Sequence, residues 1–75
     1  EIWRFETGKP IQSSPSVAKG VVYFGCVDAH LYSLDAEDGA LRWKKEFGGW
    51  VNTSPWVADG AVFAGCDDGI VYAVE

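Results

Sequence analysis

The sequence predicts an all-β protein, a β-propeller of four-stranded antiparallel blades with two blades in the 75-residue chain. The main observation is an internal repeat, because residues 3–35 align without a gap on residues 43–75 with thirteen identical pairs. A four-stranded propeller blade occupies about 40–45 residues, which is the period seen here. The second observation is that runs such as residues 21–24 and 61–64 are apolar without alternation. This pattern indicates strands that are covered on both faces.

The repeat and the apolar runs together predict eight strands in chain order. Glycine or proline interrupts the apolar runs too often for long helices, which supports strands throughout. The predicted strands cover residues 2–6, 11–17, 21–26, 31–35, 41–47, 50–57, 61–66 and 70–74.

The connections carry residues that favour tight turns. Lys19-Gly20 and Asp59-Gly60 suit two-residue hairpins, because glycine accepts a positive φ without strain. Gly69 marks another hairpin, whereas its counterpart Ala29 lacks that freedom, so we expect a longer or strained turn there.

The strand order leaves the blades unequal. Residues 11–47 form a complete blade, whereas residues 50–74 form a second blade without its outer strand. Strand 2–6 is an outer strand that would complete a neighbouring blade. Since propellers hold about 4–8 blades, two to four copies of the chain would close a ring in this way, which also removes exposed strand edges. The alternative is that the rest of a longer chain closes the propeller.

Composition narrows the classes of partner. The chain is 48% hydrophobic and 15% aromatic, more apolar surface than two isolated blades would cover. The net charge of −5 and the lack of a Lys/Arg cluster argue against nucleic-acid binding. Nothing approaches eighteen consecutive apolar residues, so no membrane span is predicted.

One passage resembles a known repeat family. Ser33, Asp35, Gly39 and Trp43 follow the spacing of the quinoprotein (PQQ-like) propeller repeat, as do the passages from Gly8 to Ser14-Pro15 and from Gly48 to Ser54-Pro55. The repeat is found in eight-bladed quinoprotein dehydrogenases and in the outer-membrane-protein assembly lipoprotein. The resemblance covers essentially the whole chain and implies the fold more strongly than the function.

The resemblance also suggests roles for single residues. It implies that Trp3 and Trp43 dock between neighbouring blades and stack on backbone near a glycine, and it makes Gly39 and Asp35 structural residues of the same docking. A tryptophan in such a place buries about 150–250 Å² and fixes how blades abut.

Four inner-strand residues are candidates for binding at the axial channel, with packing between blades as the alternative. Two are aromatic and do not repeat, and two are amides at equivalent positions; they are Trp50, Trp56, Gln12 and Asn52.

The remaining reactive side chains predict no chemistry. Cys26 and Cys66 are expected to be buried apolar filler, and His30 is expected to be exposed at a turn. Asp28 and Asp68 are expected to cap backbone amides, and we predict no catalytic, metal or cofactor site.

The function predicted from the sequence is a non-catalytic propeller module that assembles with copies of itself, four being favoured by the eight-bladed family. It would serve as a structural scaffold or bind a protein partner or ligand. The alternative is a fragment of a quinone- and calcium-dependent dehydrogenase, although no calcium ligand, catalytic aspartate or adjacent cysteine pair of those enzymes maps onto this chain.

Overall fold

The computed structural model describes residues 3–11 and 13–74 and shows two antiparallel sheets. Blade one is a four-stranded sheet in the order β1-β2-β3-β4, and blade two is a three-stranded sheet in the order β5-β6-β7. The strands are β1 Ser16–Ala18, β2 Val21–Gly25, β3 His30–Asp35, β4 Leu41–Glu46, β5 Trp56–Ala58, β6 Ala61–Gly65 and β7 Val71–Val74. The all-β fold with two antiparallel sheets is therefore confirmed.

The two-residue hairpins form as predicted. Lys19 and Gly20 have φ values of 51° and 77°, and Asp59 and Gly60 have values of 52° and 79°. Two successive positive φ angles match the twist of the flanking strands, which is why glycine stands at the second position.

The turn at Ala29 has the same length as its counterpart, so of the two expected outcomes, a longer or a strained turn, the structure shows the strained one. Ala29 adopts φ 72°, while Gly69 adopts φ 84° at the equivalent place. The expected strain is present, because an alanine is forced into a conformation that its Cβ disfavours.

The innermost strands are shorter than predicted. Strands were expected over 11–17 and 50–57, but pairing begins only at Ser16 and at Trp56. In the preceding stretch a side chain replaces the backbone ladder: the Ser13 hydroxyl accepts from Gly25 N at 2.9 Å and donates to Gly25 O at 3.1 Å. Pro15 follows without an N–H, so it cannot extend the pairing toward the N-terminus.

The predicted outer strand 2–6 lies partly outside the described residues, which begin at Trp3. Residues 3–7 form no strand with this chain. The partner expected for them was a blade of another copy, so their strand pairing stays a prediction. Within this chain, Trp3 and Phe5 instead pack against one face of blade one.

Two apolar clusters hold the fold. One lies between the blades, and its buried members are Leu31, Phe47, Val51, Val62 and Ala64. The other lies on the opposite face of blade one, where Trp3, Phe5 and Val22 pack on the buried Phe24, Cys26, Tyr32 and Leu34. The sheet of blade one is thus apolar on both faces, as its sequence predicts.

Within residues 3–11 and 13–74, no helix has the length and apolar character needed to cross a membrane.

Candidate functional site

Trp3 seats its indole on the turn between β3 and β4. Its Nε1 donates to Ala36 O at 3.0 Å. Gly39, with φ 76°, lies directly beneath the ring, and a Cβ built there would come within 3.0 Å of Trp3 Cζ3. Asp35 shapes this turn, because its carboxylate accepts from Glu37 N at 3.0 Å and its carbonyl accepts from Gly39 N at 2.8 Å. The structure therefore brings together Trp3, Gly39 and Asp35.

Trp43 occupies a different setting. It lies on β4 opposite Ser33 and tilts against Tyr23, with ring centroids 6.0 Å apart, beside the cluster between the blades. The positions forty residues beyond Ala36 and Gly39 fall past residue 75. The indole is held in this chain by apolar contacts of the blade interface.

The joint between the blades shows which contacts hold one repeat against the next. Val51 is fully buried and lies over Gly25, where an added Cβ would stand 2.8 Å from Val51 Cβ. A larger residue than glycine would thus force the blades apart. Polar groups add to this contact, because Ser14 N donates to the Ser54 hydroxyl at 3.0 Å.

The polar contacts continue along the inner edge of this joint, where the Ser16 hydroxyl donates to Pro55 O. Pro55 is itself fully buried. The inner strands of the two blades are therefore linked by hydroxyl groups rather than by a backbone ladder.

Two faces of the molecule have no counterpart blade within the chain. The leading face, on blade one, surrounds a groove of about 200 Å³ lined by Trp3, Phe5, Ile11, Pro15, Val22, Phe24 and Leu34. The trailing face, on blade two, comprises Trp56, Phe63, Gly65, Val71 and Ala73, the residues forty positions beyond those that blade one turns toward the internal joint. Val71 is 63% exposed and Ile11 is 43% exposed. Large aliphatic side chains on both open faces are left in water.

Of the four candidates for the axial channel, three lie within the described residues, Trp56 on β5 and Trp50 and Asn52 in the link before it. Trp56 stacks on Phe63 with ring centroids 5.5 Å apart and an interplanar angle of 14°, which places it on the trailing face. Trp50 is 54% exposed in the link that precedes β5, and Asn52 is exposed in the same link. Gln12 lies outside the described residues.

A larger groove of about 600 Å³ runs between the two-residue hairpins of the blades. Ionic side chains of both signs line it, namely Lys19, Arg42 and Asp59, together with Gly60. In blade one the equivalent glycine, Gly20, accepts a hydrogen bond from Ala36 N at 2.9 Å. Gly60 stands at the equivalent place in blade two and lines the groove.

Each blade also contains an aspartate bonded to a tyrosine. Asp28 accepts from His30 N at 3.1 Å and from the Tyr32 hydroxyl, which agrees with the expected capping role and adds a partner that the sequence did not indicate. Partial burial by itself raises the pKa of Asp28, but the hydrogen bonds from Tyr32 and from the loop bring it below its usual value. Burial and the neighbouring carboxylate raise the pKa of Tyr32.

The equivalent pair in blade two has the same geometry at the surface. The Tyr72 hydroxyl donates to Asp68 at 2.8 Å, and Asp68 also accepts from Ile70 N at 3.0 Å. The hydrogen bond from Tyr72 lowers the pKa of Asp68, and the same bond raises the pKa of Tyr72. The signal for this pairing was present in the repeat, since Asp and Tyr recur four residues apart.

The expectation of an exposed His30 is wrong. Its side chain is 24% exposed, its Nδ1 lies 3.1 Å from Asp28 O, and its ring lies 6.0 Å from that of Tyr32. The residue stands at the start of β3, where the ladder holds it against the aspartate turn.

Among the described residues, the donor groups do not fit the calcium ion that the resemblance implies for dehydrogenases. In the part of the chain that the structure describes, no three His, Cys, Asp or Glu side chains gather. The carboxylates of Asp28 and Asp68 are engaged by tyrosine hydroxyls and backbone amides of their own loops.

The comparisons with known proteins agree with the architecture. No protein of curated function matches the chain. Among solved structures, the crystal structure of the computationally designed Ika4 protein is similar, with a TM-score of 0.72 and 25% sequence identity. The match covers 84% of this chain and 39% of that chain, so this chain spans well under half of the designed protein.

A family model described as outer membrane protein assembly factor BamB matches residues 1–75. This is the same family of propeller repeat that the Ser33, Asp35, Gly39 and Trp43 spacing indicates. Since the match covers the whole chain, the protein belongs to the PQQ-like β-propeller repeat family.

Proposed function

We propose that the chain is a non-catalytic propeller module whose copies associate into a closed ring that serves as a structural or binding scaffold. The observation that carries the proposal is the incomplete blade two. Its edge strand β7 has no fourth strand beside it, whereas residues 3–7 have a strand-like sequence and no strand partner in the described chain. One copy would therefore supply what the next lacks.

The register of that pairing follows from blade one. There β3 and β4 pair Leu31 with Lys45 and Ser33 with Trp43. Each β3 residue is replaced by the residue forty positions later, and each β4 residue by the residue forty positions earlier. Phe5 of one copy then lies opposite Val71 of the next, and Trp3 lies opposite Ala73. Val71 is the more exposed of the large side chains on β7, so it gains most from a cross-strand aromatic partner.

Charge supports the same register. In blade one, Lys44 Nζ lies 5.9 Å from the centre of the Tyr32 ring. The equivalent pair between copies is Arg4 with Tyr72. A cation over an aromatic face contributes about 0.5–1 kcal/mol at an exposed site.

The use of the polar side chains supports a non-catalytic role. Catalysis needs different residues in different roles, whereas here the same polar contacts recur in both blades. Ser13 and Thr53 each clamp a glycine backbone, and Asp28 and Asp68 each hold a tyrosine.

Two to four copies would give the roughly four to eight blades that propellers hold, and the eight-bladed members of the family favour four. A protein partner would meet the mouth of the axial channel, which the exposed Trp50 and Asn52 would line, or an edge strand left unpaired.

The test is the mass of the native chain in solution, measured by light scattering and native mass spectrometry across a concentration series. We expect a discrete multiple of the 8.2 kDa chain. A single-chain mass at every concentration would contradict self-assembly. Dye-linked alcohol oxidation after addition of quinone and calcium would contradict the non-catalytic role.

A further inference from the structure

The two open faces of this chain are the two halves of a joint that the chain already forms once. Inside the chain, the trailing side of blade one meets the leading side of blade two. The leading face of blade one and the trailing face of blade two carry the repeat-equivalent residues and are both exposed. We propose that they bind each other between copies, head to tail, with Ile11 over Gly65 and Trp56 in the groove beside Pro15. This inference rests on the proposed self-assembly and assigns the residues of its interface.

The contact of Ile11 follows from that of Val51. Val51 closes over Gly25 in the internal joint and is fully buried there. Ile11 is its repeat equivalent and is 43% exposed, while Gly65 is the equivalent of Gly25. The three heavy atoms nearest to a Cβ added on Gly65 belong to the Thr53 side chain, the first at 3.1 Å, whereas those nearest to a Cβ added on Gly25 belong to Val51. Ile11 of a second copy would cover Gly65 as Val51 covers Gly25.

The contact of Trp56 follows from that of Ser16. The Ser16 hydroxyl reaches Pro55 O across the internal joint, so its equivalent Trp56 faces the equivalent proline, Pro15, of another copy. Pro15 lines the groove of about 200 Å³ on the leading face. The internal joint has no large side chain at this place and needs no such groove. The groove beside Pro15 of one copy can therefore receive the half-exposed Trp56 side chain of another copy.

One polar contact should also recur. Ser14 N donates to the Ser54 hydroxyl in the internal joint. Both serines are present in each copy, so Ser54 N of one copy would donate to Ser14 of the next. This gives a pair of positions, forty residues apart in sequence, that lie close together in both kinds of joint.

A complementation experiment tests the direction of the joint. Ile11→Asp removes the leading face and Trp56→Glu removes the trailing face, while Leu41→Asp is the matched control on an equally exposed aliphatic residue of β4. Each face variant alone should associate at least about tenfold more weakly than the unmodified chain, because a carboxylate would be buried unpaired. Mixing the two should give a heterodimer, since one sound leading face and one sound trailing face remain. Circular dichroism of each variant checks the fold.

The outcomes separate this inference from the proposed function. A monomeric unmodified chain overturns both. An oligomer whose mass survives both face variants, or variants that do not complement, overturns the joint and leaves self-assembly standing. Should either face variant unfold, mixing Ser14→Cys chains with Ser54→Cys chains decides: an intermolecular disulfide between positions 14 and 54, found by peptide mapping, supports the joint. Its absence from an oligomeric mixture overturns it.

Discussion

Replacing Ser33 by alanine should stabilise the chain, because the serine hydroxyl is buried without a partner. Ser33 lies on β3 at 0% exposure, and its Oγ has no hydrogen-bond partner among the described residues. Its equivalent on β7 is Ala73, so the repeat itself contains the substitution.

The magnitude follows from the desolvated hydroxyl. A buried polar group without a partner costs about 1–3 kcal/mol, and alanine has nearly the volume of serine, so no cavity forms. The net gain should therefore be about 1 kcal/mol. For a chain of this length that is a rise of roughly 4–8 °C in Tm, or about 1 M in the urea midpoint.

The assay is urea unfolding followed by tryptophan fluorescence, at several protein concentrations so that association is kept apart from folding. The control is Ala40→Ser, which adds a hydroxyl at an exposed turn position outside both open faces and should change stability by less than about 0.5 kcal/mol. Equal or lower stability of Ser33→Ala would refute the reasoning and would mean that the hydroxyl is satisfied, for example by water.

Three further predictions test single contacts. Ala29→Gly should raise stability by about 0.5 kcal/mol, since relief of the positive φ outweighs the added entropy of the unfolded chain; a loss of stability in urea unfolding would argue against strain. Trp3→Ala should cost about 2 kcal/mol through loss of the contact with Gly39, whereas Lys9→Ala, at an exposed position of the following link, should be nearly neutral; equal effects would show that the indole is not docked. Asp28→Ala should cost about 2 kcal/mol at pH 7. Because the folded pKa of Asp28 is lowered, its contribution is present above the usual value of about 3.9 and is lost as the pH falls through the folded pKa. The gap to the unmodified chain should therefore close in acid, and a gap that stays constant down to pH 2 would contradict the assignment.

Much of the fold follows from short-range chemistry. The Gly20 and Gly60 hairpins were predictable because a two-residue turn demands positive φ, and the buried strands of blade one because their apolar runs do not alternate. The turn at Ala29 shows the limit, since tertiary context held an alanine in a conformation that local preference disfavours.

Other features depend on tertiary contacts that the sequence pattern does not show. The Ser13 hydroxyl replaces a ladder pair at Gly25, which a strand pattern does not reveal, so the inner strands were predicted too long. The contact of Val51 with Gly25 joins residues of different blades and has no local signal. The stacking of Trp56 on Phe63 likewise depends on which face of the sheet the Trp56 side chain occupies.

The hydroxyl clamps at Ser13 and Thr53 have an evolutionary consequence. Just upstream of each clamp the main chain is held through a backbone carbonyl, since Pro10 O accepts from Val27 N and Trp50 O accepts from Asp67 N. A carbonyl contact does not depend on the side chain of its residue, and the two repeats differ there in Pro10 against Trp50, whereas the anchored glycines are identical. New surface chemistry can therefore arise in these links, one repeat at a time, without disturbing the sheets that support them.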